Sequence, residues 1–354
     1  AARGTRFDQA QSAVPLTGPS HATLFTGTYP PVHGVRDNVR FAIDPAVTTL
    51  AERLRRAGYE TGAFVASFPV AAAFGFGRGF DTFDEGLHPS AELGGVAERP
   101  ANEVADAAIT WLSARENRPF FAWVHFFDPH QPYHPPAPYR DRFTAPYDGE
   151  VAFADSQLGR VLEALRSAHR ENDTIVVVLS DHGEGLGDHG ESAHGLLLYE
   201  STLHVPLVLA GPGVPAGLVV HERVGTVDVL PTVMRLAGHP TPTGLAGRDL
   251  GTALKGRALR SQPLYAESLY GRLNCRWAAL RAWTDGDWKL VEGKGASLFD
   301  LAQDPGELQD RAGEDSERHG TFSQALHRAV NAMAPGGDRA RARPIGAAEA
   351  VALR

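Results

Sequence analysis

Helical and strand-like stretches alternate along the first 240 residues of the chain. Apolar residues recur on one helical face at 47–57, 101–117, 154–165 and 228–237, which predicts helices there. Short apolar runs predict strands at 63–66, 120–127, 175–179 and 205–210. Strands that alternate with helices indicate an α/β fold, in which a mostly parallel sheet is sandwiched by helices.

The pattern changes after about residue 258. The dipeptide Asp285-Gly286 lies between two apolar runs, which is a strong signal for a β-hairpin. Residues 297–301 predict a third strand, and residues 319–333 predict a helix. We therefore expect three parts: an α/β core over 1–258, a small antiparallel subdomain over 259–312, and a helix with a mobile tail over 313–354.

Candidate chemistry follows the strand predicted at 175–179. Asp181 and His182 come directly after this aliphatic run. In open α/β sheets, ligands bind just beyond the carboxyl ends of the strands. A carboxylate beside a neutral imidazole supplies two ligands of a small metal site. The run at 175–179 fits a strand buried on both faces of a parallel sheet. The alternative to a metal site is a polar turn that caps this strand.

Composition narrows the classes of protein that the chain can represent. With 43% hydrophobic and 21% charged residues, the 354-residue chain is typical of globular proteins. A net charge of −8 argues against a nucleic-acid partner. Cys275 is the single cysteine, so no disulfide forms within the chain. The sequence holds no 18-residue apolar run, so no transmembrane segment is predicted.

A short helix is predicted from about Pro19 to Thr26. Thr17 is a residue type that commonly caps helix N-termini, and Pro19 suits the first helical turn. Gly27 suits the end of the helix, where a left-handed conformation is common. From the residue types alone, Thr17 is a capping residue.

Six blocks of sequence, taken in order, resemble the sulfatase branch of the alkaline-phosphatase superfamily. Thr17-Gly18-Pro19-Ser20-His21 is similar to the family's active-site motif, which reads Cys or Ser, any residue, Pro, Ser, Arg. Ser180-Asp181-His182-Gly183-Glu184, followed by His194-Gly195, resembles its metal-site block. The other matching blocks are 124–133, 148–159, 228–248 and 288–307.

The resemblance implies a metal-dependent hydrolase with Thr17 at the nucleophile position. One divalent ion (Ca²⁺, Mn²⁺, Mg²⁺ or Zn²⁺) is expected on Asp181, His182 and Thr17. A second metal at Asp128 is the weaker alternative to a role in which that residue caps a turn. The family's first strand also supplies acidic metal ligands, which we expect to be missing from a truncated N-terminus, with weaker metal binding as the result.

Threonine at position 17 departs from the family pattern. Sulfatases oxidise the Cys or Ser at this position to formylglycine, whereas oxidation of threonine gives a ketone. A threonine alkoxide can still attack phosphorus or sulfur if a metal lowers the pKa of the hydroxyl group. Threonine nucleophiles occur in phosphodiesterases and phospho-head-group transferases of this superfamily. His21 stands where sulfatases have arginine, and we expect it to contact the substrate.

Several histidines compete for the role of general acid. We expect His130 and His194 to protonate the leaving group, because an imidazole titrates near neutral pH. His125 is predicted to bind substrate or to be a satisfied core residue. His134 also competes for this role, and its alternative is to pack within its loop. His33 and His189 are predicted to be structural residues of loops.

These observations predict a hydrolase of sulfuric or phosphoric esters that forms a covalent ester on Thr17. The substrate is expected to be a small-molecule, sugar or lipid ester. One alternative is a phosphoethanolamine-type or glycerol-phosphate-type transferase, which an acceptor alcohol distinguishes from a hydrolase. The other is an inactive binding domain, which would bind no metal ion. The compartment is open, and the resemblance allows a periplasmic or other extracytoplasmic place.

Overall fold

The structure is a computed structural model, and it describes residues 2–89, 97–115, 118–334 and 342. Numbered in chain order, its strands are β1 (Gly4–Gln11), β2 (Glu60–Phe64), β3 (Thr82–Asp84), β4 (His88–Pro89), β5 (Ala97–Glu98), β6 (Phe120–Val124), β7 (Val176–Leu179), β8 (His204–Ala210), β9 (Val219–Val220), β10 (Val224–Gly225), β11 (Leu264–Ser268), β12 (Leu280–Asp285), β13 (Trp288–Glu292) and β14 (Ala296–Asp300).

The α-helices are numbered in the same way. They are α1 (Thr17–Thr26), α2 (Pro30–His33), α3 (Leu50–Arg56), α4 (Ala101–Ser113), α5 (Tyr139–Arg142), α6 (Pro146–Ser167), α7 (Glu200–Leu203), α8 (Val229–Leu236), α9 (Tyr270–Cys275) and α10 (Ser316–Met333). The described residues divide into two compact units, the first within 2–47 and 175–342, the second within 48–174.

The first unit contains a mixed sheet of order β10-β1-β8-β7, in which β9 also pairs with β1. β1 runs parallel to β9 and β10 but antiparallel to β8. β7 pairs antiparallel with β8, and its residues are half-buried. The expectation of a fully buried parallel strand at 175–179 is therefore wrong, because an apolar run records neither the direction of its neighbour nor the burial of each face.

β1 was not predicted, because its charged and polar residues hide a weak alternation. Phe7 and Ala10 are buried against Leu207 and Val205 of β8. The register shifts between Phe7 and Ala10, so a bulge interrupts the alternation expected of a regular strand. A bulged strand with few apolar residues leaves little periodic signal in the sequence.

A second sheet in the first unit is antiparallel, with the order β11-β12-β13-β14. Its predicted hairpin is confirmed, with Asp285 opposite Trp288 and Gly286 in the left-handed region at φ +58°. Leu290 and Leu298 pack with Leu326 of α10 in one core cluster. This sheet belongs to the same compact unit as α1. The boundary expected near residue 258 stays a prediction.

The second unit holds the parallel sheet that the alternation predicted. β2 pairs parallel with both β3 and β6. Ala108 and Trp111 of α4 are buried, and the Trp111 ring lies edge-on to Phe64 of β2 at 5.8 Å. Apart from residue 342, the tail predicted to be mobile lies outside the described residues from 335 onward. None of the described helices combines the length and apolarity that crossing a bilayer requires.

Candidate functional site

Helix α1 begins at Thr17 itself, one residue earlier than a capping role requires. The N-cap is Leu16, whose backbone is extended and whose side chain offers no capping hydrogen bond. The prediction that Thr17 is the N-cap is therefore wrong. Asn38 Oδ1 accepts the N–H of Gly18 at 2.8 Å, so another side chain satisfies this early helical donor. Gly27 ends the helix in the left-handed conformation, as predicted.

Thr17 converges with the pair of residues that follows β7. The Thr17 Oγ1 atom lies 3.4 Å from His182 Nε2. The Asp181 Oδ2 atom lies 3.5 Å from the same nitrogen. Ser20 Oγ donates to the backbone oxygen of Asp181 at 2.6 Å and so joins α1 to the turn after β7. Residues more than 160 positions apart therefore meet at one point, as the sequence predicted.

Hydrogen bonding defines the state of the His182 ring. Its Nδ1 atom lies 2.8 Å from the Gly183 carbonyl oxygen, which can only accept, so Nδ1 carries the proton. Burial is the main cause that lowers the pKa of His182, and it outweighs the neighbouring Asp181 carboxylate. The neutral ring presents the lone pair of Nε2 toward Thr17 and Asp181. This tautomer is the one that ligates metals through Nε2.

The spacing of these atoms suits a shared cation. Two ligands on one ion, with bonds of about 2.1 Å at a tetrahedral angle, lie about 3.4 Å apart. The observed separations of 3.4 Å and 3.5 Å agree with that value. Within the part of the chain that the structure describes, however, no three or more His, Cys, Asp or Glu side chains group together as a metal site. The residues fit a divalent ion in kind but form a partial ligand set.

His21 lies on the same helix as Thr17, one turn further along. Its Nδ1–H donates to the Thr17 carbonyl oxygen at 2.8 Å, and the same nitrogen is 3.5 Å from Asp181 Oδ2. The side chain is almost fully buried. The predicted site residue His21 is thus placed beside Thr17 and Asp181, and its predicted contact with substrate stays a prediction.

His194 also reaches this cluster. Its ring centroid lies 4.2 Å from that of His182. The Nδ1 atom lies 3.2 Å and 3.3 Å from the two carboxylate oxygens of Glu184. Sequence reasoning assigned no role to Glu184, although it stands two residues after His182 in the block that resembles a metal site. A carboxylate in that block was the available signal.

The candidate residues of the second unit have local partners. His125 is buried, and its Nδ1 atom accepts the N–H of Ala66 at 3.3 Å, as in a satisfied core residue. The His130 ring stacks on Phe127 with centroids 3.9 Å apart. Asp128 Oδ2 accepts the N–H of Ala101 at the start of α4, a contact 27 residues away in the chain, whereas the sequence favoured the cap of a turn. The catalytic role of His130 and the substrate-binding role of His125 stay predictions.

Comparison with known proteins places these features in a family. The Sulfatase family model matches residues 1–239. The chain is 34% identical over 198 residues to arylsulfatase K of Mus musculus, covering 52% of this chain and 35% of that protein. It is 25% identical over 385 residues to Delta 4,5-hexuronate-2-O-sulfatase of Bacteroides thetaiotaomicron, covering 88% of this chain and 78% of that protein. The structure of phosphonate monoester hydrolase of Agrobacterium radiobacter matches with a TM-score of 0.77 at 22% identity, covering 94% and 89% of the two chains.

An α/β fold that brings a hydroxyl group, an acid and an imidazole together defines the class of protein. The chain belongs to the sulfatase family. The predicted family and α/β fold class are therefore confirmed. Proteins of this family generally depend on a metal ion. The chain spans about a third of the length of the arylsulfatase K that it matches, and the structural match at 22% identity describes the fold alone.

Proposed function

We propose that the chain hydrolyses sulfuric or phosphoric esters through a covalent ester on Thr17. The observation that carries this proposal is that two oxygen atoms lie close to His182 Nε2: Thr17 Oγ1 at 3.4 Å and Asp181 Oδ2 at 3.5 Å. Thr17 does not cap its helix, so its hydroxyl group is available for chemistry. In-line attack by the Thr17 oxygen displaces the leaving group, and water then releases the acid and regenerates Thr17.

A divalent ion would be held by Asp181, His182 and Thr17. When bound, it supplies positive charge that lowers the pKa of the Thr17 hydroxyl group and screens the anionic ester. The chain's own residues set the geometry around it. Ser20 fixes the backbone of Asp181, and the Gly183 carbonyl oxygen fixes the His182 ring.

His194 is the group of the first unit that we assign to proton transfer. Its Nδ1 atom faces Glu184, so its Nε2 atom is the one that can serve the leaving oxygen. The ring lies beside His182, which places it next to the proposed point of attack. His21 is assigned to contact with the ester's oxygen atoms, because it is buried beside Thr17.

Threonine favours a phosphorus centre over a sulfur centre. The aldehyde that sulfatases use cannot form from Thr17, because its carbon already carries a methyl group. A plain alkoxide nucleophile is a known route for phosphoric esters. The phosphonate monoester hydrolase fold match is compatible with this preference. We therefore propose phosphoric monoesters or diesters as the better substrates, and sulfuric esters as the alternative.

Turnover of chromogenic esters tests the proposal. Wild-type protein, Thr17→Ala and Thr17→Ser are assayed with 4-nitrophenyl sulfate, 4-nitrophenyl phosphate and bis(4-nitrophenyl) phosphate, each with Mn²⁺, Zn²⁺, Ca²⁺ or Mg²⁺. We expect Thr17→Ser to keep turnover and Thr17→Ala to lose at least about a thousandfold, as removal of a nucleophile does. Thr26→Ala, on the same helix, is the matched control for folding.

Two results would count against this function. Full turnover by Thr17→Ala would remove the nucleophile. No turnover of any ester, together with no metal binding by calorimetry, would favour a binding domain that has kept the fold without catalysis.

A further inference from the structure

After His182 the chain leaves the candidate site, and the segment 183–197 brings it back. Gly185 N–H donates to the Ala193 carbonyl oxygen at 2.7 Å, which closes the segment into a compact loop. A Cβ atom on Gly185 would lie 2.3 Å from the Glu191 carbonyl oxygen, so only glycine fits there. His194, at the end of this loop, therefore lies close to His182 and Glu184.

A second carboxylate holds the far end of the loop. Glu191 Oε1 and Oε2 accept the N–H groups of Leu196 and Leu197 at 2.7 Å and 3.1 Å. Ser268 of β11 also donates to the Gly195 carbonyl oxygen at 2.5 Å. These bonds fix the backbone on the C-terminal side of His194. They leave its ring to be oriented by other contacts.

The ring of His194 is oriented by Glu184. Both oxygens of the Glu184 carboxylate lie within 3.3 Å of Nδ1, and the two side chains are only 6% and 9% exposed. A carboxylate accepts and does not donate, so the Nδ1 atom carries a proton. The His194 ring also lies next to His182, with the centroids of the two rings 4.2 Å apart.

We propose that Glu184 is a positioning residue, which keeps a proton on Nδ1 of His194 and orients the ring so that Nε2 faces the leaving oxygen. This inference rests on the function proposed above. When the deprotonated Thr17 Oγ bonds to phosphorus or sulfur, the bond to the leaving oxygen breaks. That oxygen takes the Nε2 proton of a His194 ring that is protonated on both nitrogens, which leaves the ring with its Nδ1 proton alone. The water that later cleaves the Thr17 ester returns a proton to Nε2. Glu184 exchanges no proton and acts through the ring alone.

The dependence of turnover on the leaving group distinguishes positioning from a merely structural role, which would affect all leaving groups alike. A 4-nitrophenolate leaves with little help from an acid, whereas an alkyl oxygen needs a proton. Glu184→Gln and Glu184→Ala are therefore assayed with a 4-nitrophenyl ester and with the corresponding methyl ester. We expect the methyl ester to slow by about 10- to 100-fold more than the 4-nitrophenyl ester, the size typical of lost orienting contacts.

The controls separate positioning from folding. Glu191→Gln, in the same loop, changes a carboxylate whose oxygens accept the N–H groups of Leu196 and Leu197, so it should slow both esters equally. Glu184→Gln combined with His194→Ala should be no slower than His194→Ala alone, because Glu184 acts through His194. Equal slowing of both esters by Glu184→Gln, or full additivity with His194→Ala, would overturn the inference.

Nitrogen NMR of the histidine rings tests the inference even if no ester is turned over. In the wild-type protein, the His194 signal should show a protonated Nδ1 atom. In Glu184→Ala it should shift toward the tautomer mixture of a histidine in water, while the His182 signal keeps its Nδ1 proton on Gly183. An unchanged His194 signal in Glu184→Ala would refute the positioning role whatever the protein's activity.

Discussion

Replacing Arg36 by methionine should destabilise the protein strongly, and by an amount that depends on pH. The Arg36 guanidinium group donates to both oxygens of Glu267, at 2.6 Å and 2.8 Å. The two side chains are only 2% and 1% exposed. Methionine keeps much of the volume of the arginine stem but removes the charge and both hydrogen bonds. The Glu267 carboxylate then keeps the Tyr265 hydroxyl group as a donor, at 2.6 Å.

The size of the stability loss follows from the response of the Glu267 carboxylate to the removal of its cation. Its cheaper course is to bind a proton, which at pH 7 costs about 3.7 kcal/mol, because a glutamate in water titrates about 2.7 pH units lower. At pH 5 the same step costs only about 1 kcal/mol. The folded variant holds a proton that its unfolded chain releases, so its stability relative to wild type falls as the pH rises from 5 to 7. A cost of about 3–5 kcal/mol at pH 7 is typical of a broken buried pair.

Urea unfolding followed by tryptophan fluorescence at pH 5 and pH 7 measures both quantities. Arg36→Met with Glu267→Gln has no carboxylate to protonate, so its loss of stability should be the same at both pH values. Arg311→Met breaks an exposed pair with Glu314 and should cost less than about 1 kcal/mol. A cost for Arg36→Met below about 1 kcal/mol at pH 7, or an equal cost at both pH values, would refute the reasoning.

Three further changes have expected outcomes. Burial raises the pKa of Glu150 to about 7, so the folded state binds a proton that the unfolded chain has released, and the free energy of unfolding should fall as the pH rises from about 5 to 7. Urea unfolding of Glu150→Gln should lose this pH dependence, and an unchanged dependence would contradict the assignment. A Cβ atom on Gly183 would lie 2.2 Å from the Ser201 carbonyl oxygen. Gly183→Ala should therefore lower the free energy of unfolding, measured in urea, by about 1–3 kcal/mol and also lower ester turnover. Wild-type values for both would count against the close packing. Asp128→Ala removes the acceptor for the N–H of Ala101 and should lower thermal stability by about 1 kcal/mol, whereas no change would argue against the cap.

Local signals in the sequence predicted local structure well. The hairpin at Asp285-Gly286 was predictable because two residues determine both the turn and the register of the strands. The partner of β7 was not predictable, because Val176–Leu179 reads the same beside a parallel or an antiparallel neighbour. β1 escaped prediction because its register shifts between Phe7 and Ala10, so these two buried residues are three positions apart and do not follow the two-residue alternation of a regular strand.

The candidate site shows the same division. The meeting of Thr17 with Asp181 and His182 was expected from residue types and from resemblance, and the 3.4 Å contact agrees with it. The capping role of Thr17 was wrong, because the residue types that cap a helix also occur inside its first turn, and Asn38 reaches Gly18 from 20 residues away. That hydrogen bond depends on the folded path of the chain, which no local pattern contains.

Mass spectrometry of protein quenched in acid during turnover tests most directly whether Thr17 is the nucleophile at the point where Asp181 and His182 meet. A sulfo or phospho group on the peptide that contains Thr17 is the predicted result, and it should be absent from Thr17→Ala. The same group on any other residue of the wild-type protein, or its presence in Thr17→Ala, would contradict the proposed chemistry.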